Sequence, residues 1–374
     1  HVVALGDDAG TVAKKAEKAA AALDLARARG DRIVLVINYE SLWRDPFAAW
    51  ALKQRWGLVI YDEAHRLKQP SGKASMFAAR LRSHARLRLA LTGTPMPHSP
   101  LDIYAVARAL DSRHFGNSYH AFKQAHAVMG GFQQKQVIAY RNLDHIEATM
   151  RNFTFRVGKD VVDLPPETHV TYHCTLSPEG MRAYRSLEKD YVAQIDAGLI
   201  TAANGMVVLI RLQQITGGSV RLDDDRWTVI DDSKRKLLAD TLEDIGKDEP
   251  VVVFCRFRSD LDAVHKAAAD LGFSSMELSG RQNDLAAWQE GKAQILAVQI
   301  QAGGVGIDLT RARLNIYYSL SHSLGEYDQS LSRVHRPGQT RPVTHIHLVA
   351  KGTVDEKIMR ALEQRAEVVE SVLK

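Results

Sequence analysis

The sequence predicts an α/β protein: two lobes built on parallel sheets, with a mostly helical region between them. Three observations predict it. Short β-branched runs alternate with longer Ala/Leu/Arg-rich stretches, the pattern of parallel α/β units, the runs fall into two clusters, and helical stretches fill the span between them. Strands are expected at 32–37, 57–61 and 87–91 in the first cluster, and at 251–254, 293–300 and 314–318 in the second. From about Asp111 to Ser233 the chain reads as mostly helical, with breaks at Gly130-Gly131, Pro165-Pro166 and Gly217-Gly218. Consecutive prolines cannot continue a helix, so a lobe boundary is expected at Leu164-Pro165-Pro166. That divides the chain into 1–164, a first lobe with a helical insertion at about 111–160, and 165–374, a second lobe led by a helical segment at about 175–232.

Composition narrows the class. The 374 residues carry 49 Lys and Arg against 44 Asp and Glu, a net charge of +5, with 25% charged and 45% hydrophobic residues. Disorder, collagen and coiled coil are excluded as the main architecture. A charge of +5 over this length permits a polyanionic partner without identifying one. The two cysteines, Cys174 and Cys255, lie far apart with no C-x-x-C spacing, which argues against a disulfide framework and a structural zinc site. Apolar runs such as Val251–Cys255 are strand-length, well short of the ~20 residues of a membrane span, and no secretory signal is visible. A soluble protein of a reducing compartment is expected, cytoplasmic or nuclear and not secreted.

The chemistry concentrates in four segments. Leu58-Val59-Ile60-Tyr61 runs into Asp62-Glu63-Ala64-His65, placing two adjacent carboxylates at the C-terminal edge of a parallel strand, where open α/β sheets put their ligands. In a nucleotide triphosphatase that position supplies an Asp for Mg²⁺ and a Glu for the attacking water. Thirty residues on, Leu89-Ala90-Leu91 closes on Thr92-Gly93-Thr94-Pro95. In the second cluster, Gln301-Ala302-Gly303-Gly304-Val305-Gly306-Ile307-Asp308-Leu309-Thr310 follows a strand, and its glycines allow backbone N–H groups close to a phosphate or ribose. Tyr327-Asp328-Gln329-Ser330-Leu331-Ser332-Arg333-Val334-His335-Arg336-Pro337-Gly338-Gln339 comes next, with Arg333 and Arg336 three apart, so that on a helix they share one face.

In order and spacing these segments resemble motifs II, III, V and VI of the Swi/Snf family within the superfamily-two helicase-like ATPases, in a compact form that looks closer to bacterial or phage members. Weaker likenesses fill the gaps: 36–42, 115–119, 141–143, 163–166, 233–234 and 251–255. The resemblance implies two RecA-like lobes with ATP and Mg²⁺ in the cleft between them and double-stranded DNA gripped across both, in a monomer without a membrane role. It implies Asp62 for Mg²⁺, Glu63 for the water, and Arg333 and Arg336 for the γ-phosphate transition state. Gln329, Gly304, Gly306 and Asp308 would line the second-lobe side, and Thr92, Gly93 and Thr94 would couple nucleotide state to the lobe interface. Arg211, Lys234, Arg258 and Thr310 stand in or near segments that face DNA in the family.

Two features depart from the family. No G-x-x-x-x-G-K-[ST] occurs in these residues; His1–Asp7 resembles the segment after motif Ia, so the first lobe is expected to be N-terminally truncated, without its first strand and P-loop. Ser71-Gly72-Lys73 lacks the upstream glycine and follows the acidic motif, so it is not read as a phosphate loop. Losing several charge-assisted hydrogen bonds of about 1.5–3 kcal/mol each is expected to leave this chain unable to bind ATP well or to hydrolyse it. Asp308 stands where the family more often has Asn. Two other readings stay open: a pseudo-ATPase that grips nucleic acid or protein without hydrolysis, and an RNA helicase of the same superfamily. The H-R-P-G-Q ending and the long insertion favour the Swi/Snf branch over the latter.

Overall fold

Each β-branched run singled out in the sequence is a strand in the computed structural model, which describes residues 1–131, 136–158, 161–196, 202–221, 227–302 and 306–373. The chain forms two compact units, His1–Thr154 with Val368–Lys374, and Phe155–Glu367. The division falls at Thr154/Phe155 rather than at the proline pair; Pro166 O accepts the Val343 N–H at 2.9 Å, and the prolines lead straight into a strand of the second unit.

In the first unit β1 (Val2–Leu5) pairs in parallel with β2 (Val34–Ile37) through α1 (Val12–Arg29). The sequence sets both ends of that helix. Thr11 Oγ1 caps Lys14 N at 3.4 Å, and Gly30, at φ 70°, makes the left-handed turn that closes it, with Arg27 and Arg29 placed favourably in the last turn. After the short helices α2 (Tyr39–Leu42) and α3 (Phe47–Ala51), β3 (Trp56–Tyr61) pairs in parallel with β4 (Ala85–Ala90) through α4 (Lys73–Leu81). Gly72 opens α4, and the Lys73 ammonium lies 4.7 Å from the Trp43 ring centre. Then come α5 (Ile103–Leu110), α6 (Tyr119–His126), the antiparallel pair β5 (Ala127–Gly130) and β6 (Gln136–Tyr140), and α7 (Leu143–Arg151). The larger core gathers Tyr61, Leu67, Met96, Tyr104, Phe122, Ile146 and Met150, most of them outside strands. β1–β2 and β3–β4 remain separate two-stranded sheets among the described residues.

The second unit is organised around one six-stranded parallel sheet in the order β11-β12-β10-β13-β14-β7. Its elements are β7 (Glu167–Cys174), α8 (Pro178–Asp196), α9 (Ala202–Thr216), the hairpin β8 (Ser219–Arg221) and β9 (Trp227–Val229), α10 (Ser233–Ile245), β10 (Val251–Cys255), α11 (Arg258–Asp270), β11 (Ser275–Leu278), α12 (Leu285–Gln289), β12 (Ile295–Gln299), β13 (Leu314–Tyr317), α13 (Leu324–Val334), β14 (Val343–Ala350) and α14 (Val354–Leu373). Continuous apolar runs make β10 and β12 strands covered on both faces, as parallel strands under crossover helices must be.

The span read as mostly helical holds three unforeseen pieces: the β5–β6 hairpin, the β8–β9 hairpin and β7. β7 carries Thr168, His169, Thr171 and His173 because it is the sheet edge, so it shows no apolar run. Among the described residues no helix is long and apolar enough to cross a membrane.

Candidate active site

Asp62 and Glu63 follow the last residue of β3, at the C-terminal edge of the β3–β4 pair. Beyond that edge the ladder continues as a closure: Leu91 N donates to Tyr61 O at 2.9 Å and Ala64 N to Leu91 O at 2.9 Å, which brings the two motif loops together. Glu63 sits at φ 47°, ψ 50°, a left-handed conformation that costs a residue with a Cβ about 1 kcal/mol or more. Asp62 is exposed; its Oδ1 accepts the Glu63 N–H at 3.0 Å, and its carbonyl accepts the Tyr39 hydroxyl at 2.8 Å.

His65 joins the two loops. Its Nδ1 lies 3.2 Å from Glu63 Oε2 and 3.3 Å from Thr92 Oγ1. A carboxylate only accepts, so Nδ1 carries the ring proton. Burial, with Lys68 and Arg66 adding to it, pushes this imidazole down to about 4, so it is neutral at pH 7. Thr92 Oγ1 also accepts the Thr94 N–H at 3.1 Å, while Thr94 Oγ1 is buried without a hydrogen-bond partner. Gly93 is exposed, and a Cβ there would meet nothing within 4 Å.

The second unit carries the other two motif segments. The loop after β12 and the end of α13 are stitched together: Leu309 N donates to Arg333 O at 3.0 Å, Arg336 Nη1 to Ile307 O at 3.1 Å, and Gln339 Nε2 to Thr310 O at 3.1 Å and Ala312 O at 2.9 Å. Gln329 and Arg333 lie on α13, half-buried. Arg336 does not share their helix. α13 ends at Val334, and His335 turns out at φ −96°, ψ 85°, because Pro337 disfavours helical backbone at Arg336. Arg333 and Arg336 are therefore brought near one loop by the Gly306–Thr310 turn and not by helical periodicity.

Gly306 takes a left-handed φ of 58°, and Gly304 lies outside the described residues. Asp308 folds back on its own turn: Oδ1 accepts Thr310 N at 2.9 Å and Thr310 Oγ1 at 2.7 Å. The Thr310 N–H, and then its hydroxyl and Arg336, hold the Asp308 carboxyl below the usual carboxylate range.

Of the cations expected near DNA, Arg211 on α9 and Arg258 at the start of α11 are exposed. Lys234 is a correction. It is buried, with Nζ paired to the Asp355 carboxylate, and Asp355 also accepts Thr216 Oγ1 at 2.8 Å and Ala350 N at 3.2 Å. A lysine committed to an internal carboxylate offers nothing to a phosphate at the surface. Gln213, two residues after Arg211, is buried too, with Nε2 donating to Leu320 O at 2.9 Å. Sequence reasoning gave no role to His65 or Gln339, though both stand inside the motif runs; only the contacts across loops reveal them.

The residues present fit a nucleotide's metal on one side: an exposed carboxylate at a strand end, backed by a second carboxylate whose direction a neutral histidine holds. The SNF2-related domain profile matches residues 9–217, and the helicase conserved C-terminal domain profile matches residues 233–338. Putative protein p41 of Acyrthosiphon pisum secondary endosymbiont phage 1 is 26% identical over 364 residues, covering 91% of this chain and 76% of that protein. DNA repair and recombination protein RDH54 of Saccharomyces cerevisiae is 25% identical over 363 residues, covering 87% of this chain and 39% of that protein. The Sulfolobus solfataricus SWI2/SNF2 ATPase core in complex with dsDNA matches with a TM-score of 0.44 at 22% identity, over 100% of this chain and 76% of that one. The chain thus spans about three quarters of the phage protein and about two fifths of the yeast protein. With one profile covering more than half its length and the acidic, Thr-Gly-Thr-Pro and arginine motifs all in place, the chain belongs to the SNF2-related family of superfamily-two helicase-like ATPases.

Proposed function

We propose that these residues form the greater part of a DNA-dependent ATPase that translocates along double-stranded DNA. The observation that carries the reading is the Glu63–His65–Thr92 chain, which ties the water-activating carboxylate to the loop expected to report nucleotide state. Glu63 would orient the attacking water and accept its proton, with His65 holding the carboxylate's direction. Asp62 would hold Mg²⁺, which when bound offsets phosphate charge. Arg333 and Arg336 would stabilise charge on the transferring phosphoryl group, with Gln329, Gly304, Gly306 and Asp308 lining that side. Thr92, Gly93 and Thr94 would couple hydrolysis to movement, and Arg211 and Arg258 are the cations left to touch the DNA backbone, in a manner that carries no base information.

These residues contain no G-x-x-x-x-G-K-[ST], so we propose that they turn over ATP only when a phosphate-binding loop is supplied with them. The same feature supports a second reading, a module that binds DNA or protein without hydrolysis. ATP hydrolysis with and without duplex DNA separates them, measured on these residues alone and joined to a segment bearing such a loop. The expected result is no turnover alone and DNA-stimulated turnover when joined, lost by ~10²–10⁴ in Glu63→Gln and by ~10³–10⁵ in Arg333→Ala or Arg336→Ala. Robust turnover by these residues alone overturns the loop requirement; DNA binding without turnover in the joined form overturns the enzyme reading.

A further inference from the structure

A row of side chains crosses one face of the second unit's sheet. Asn315 on β13, His345 on β14 and His169 on β7 are successive register partners. Glu167 stands two residues before His169, and the period of a strand puts both on the same face. Asn315 and His345 are fully buried, while Glu167 and His169 reach the exposed sheet edge. Ligating atoms of Glu167, His169 and His345 all lie within 4.8 Å of one another.

Nitrogens from two further elements meet the Glu167 carboxylate. His345 Nδ1 lies 2.8 Å from Asn315 Oδ1, and its Nε2 lies 3.3 Å from Glu167 Oε2. His335 Nε2 donates to Pro165 O at 2.7 Å, and its Nδ1 lies 3.0 Å from the same Glu167 Oε2. His335 is 6% exposed, and that Nδ1 is buried without a hydrogen-bond partner. Two imidazole nitrogens thus converge on one carboxylate oxygen, contacts that a proton or a metal ion can bridge.

We propose that Glu167, His169 and His345 bind Zn²⁺, with His335 supplying the adjoining fourth nitrogen. Neutral imidazoles with one carboxylate are a donor set that suits zinc. Asn315 Oδ1 on His345 and Pro165 O on His335 are the outer partners that fix the tautomer of a ligating histidine. Tetrahedral bonds of ~2.0–2.1 Å set ligand atoms about 3.3 Å apart; the 3.3 and 3.0 Å separations around Glu167 Oε2 already match. His169, stacked on His345 with ring centres 4.7 Å apart, closes the set by a side-chain turn. The ion ties the edge strand β7 to β14 and to the residue just before Arg336.

Metal-stripped chain titrated with Zn²⁺ and Co²⁺ tests this, followed by calorimetry, Co²⁺ visible absorption and thermal unfolding. The expected result is about one ion per chain, tetrahedral Co²⁺ bands, and an unfolding midpoint that rises with Zn²⁺. His169→Ala, at an exposed position, keeps the metal-free midpoint and weakens Zn²⁺ binding by more than about 100-fold, beyond the cost of losing an outer partner; Glu167→Gln weakens it similarly. Absence of saturable binding, or binding undiminished in both variants, overturns the proposal and leaves a proton between His335 and Glu167 as the occupant.

Discussion

Val253, in the middle of the second unit's sheet, is fully buried, whereas Leu89 on β4 of the first unit keeps 44% of its surface. The contrast extends along both sheets. Val251, Val252, Phe254 and Cys255 on β10 are at 0%, while Leu58 and Ile60 on β3 remain at 48% and 52%. Six paired strands covered by crossover helices bury every position of the central strand; a two-stranded sheet with helices on one face leaves the other open. The first unit therefore keeps its core mainly in the residues around α5, α6 and α7, and the second keeps it in the sheet. Similar aliphatic sequence contributes differently in the two places, at ~25 cal/mol for each Å² actually removed from water.

The largest expected effect tests that contrast directly. Val253→Asp places an unpaired carboxylate in the covered sheet and is expected to lower stability by more than about 4 kcal/mol, while Leu89→Asp changes it by less than about 1 kcal/mol. Equal losses in urea unfolding would erase the distinction between the units. Next is the buried Lys234–Asp355 pair of the second unit. Lys234→Ala strands the Asp355 charge and is expected to cost about 3–5 kcal/mol; a variant of unchanged stability but weakened DNA affinity would return Lys234 to the DNA surface.

The smallest effect sharpens the comparison through pH. His65 in the first unit and His322 in the second are both pushed down to about 4, chiefly by burial, with Lys68 and Arg66 adding to it at His65 and Arg256 and Arg365 at His322. The unfolded chain binds these protons at about 6.5, so stability falls as pH drops from that value toward 4, by ~3 kcal/mol for His65. Asp260 of the second unit works the other way. Its burial raises it from 3.8 to about 6, so the folded state takes up its proton first and gains stability as pH falls through the same window. His347 of the second unit is pushed down further, to about 3, chiefly by burial, and outweighs Asp260, so the second unit should be the more acid-sensitive; proteolysis of the two units at pH 7 and pH 5 checks the order.

β2, β3, β4, β10, β12 and β13 were legible in the sequence because aliphatic residues, continuous in β10 and alternating with arginine in β4, mark them locally. β14 was not, since Val343–Ala350 places His345 and His347 among its aliphatics, both fully buried. β11 was not either, since Ser275 and Glu277 interrupt its apolar residues. At the candidate site the acidic pair and the Thr-Gly-Thr-Pro loop were legible, because strand ends announce themselves by a sudden change of polarity. The geometry of the arginines was not: helical spacing put Arg333 and Arg336 on one face, and the proline after Arg336 ends the helix first.

Taken alone, the sequence determined the α/β class, the family and the chemical groups of each motif, because these depend on neighbouring residues and on a strand or helix period. Tertiary structure decided where charge and lone pairs are spent. Lys234 meets Asp355 121 positions away, and Glu167 meets His345 178 away. Whether a lysine faces phosphate or an internal carboxylate, and whether histidines gather around one oxygen, depends on what burial sets beside them, which no local pattern records.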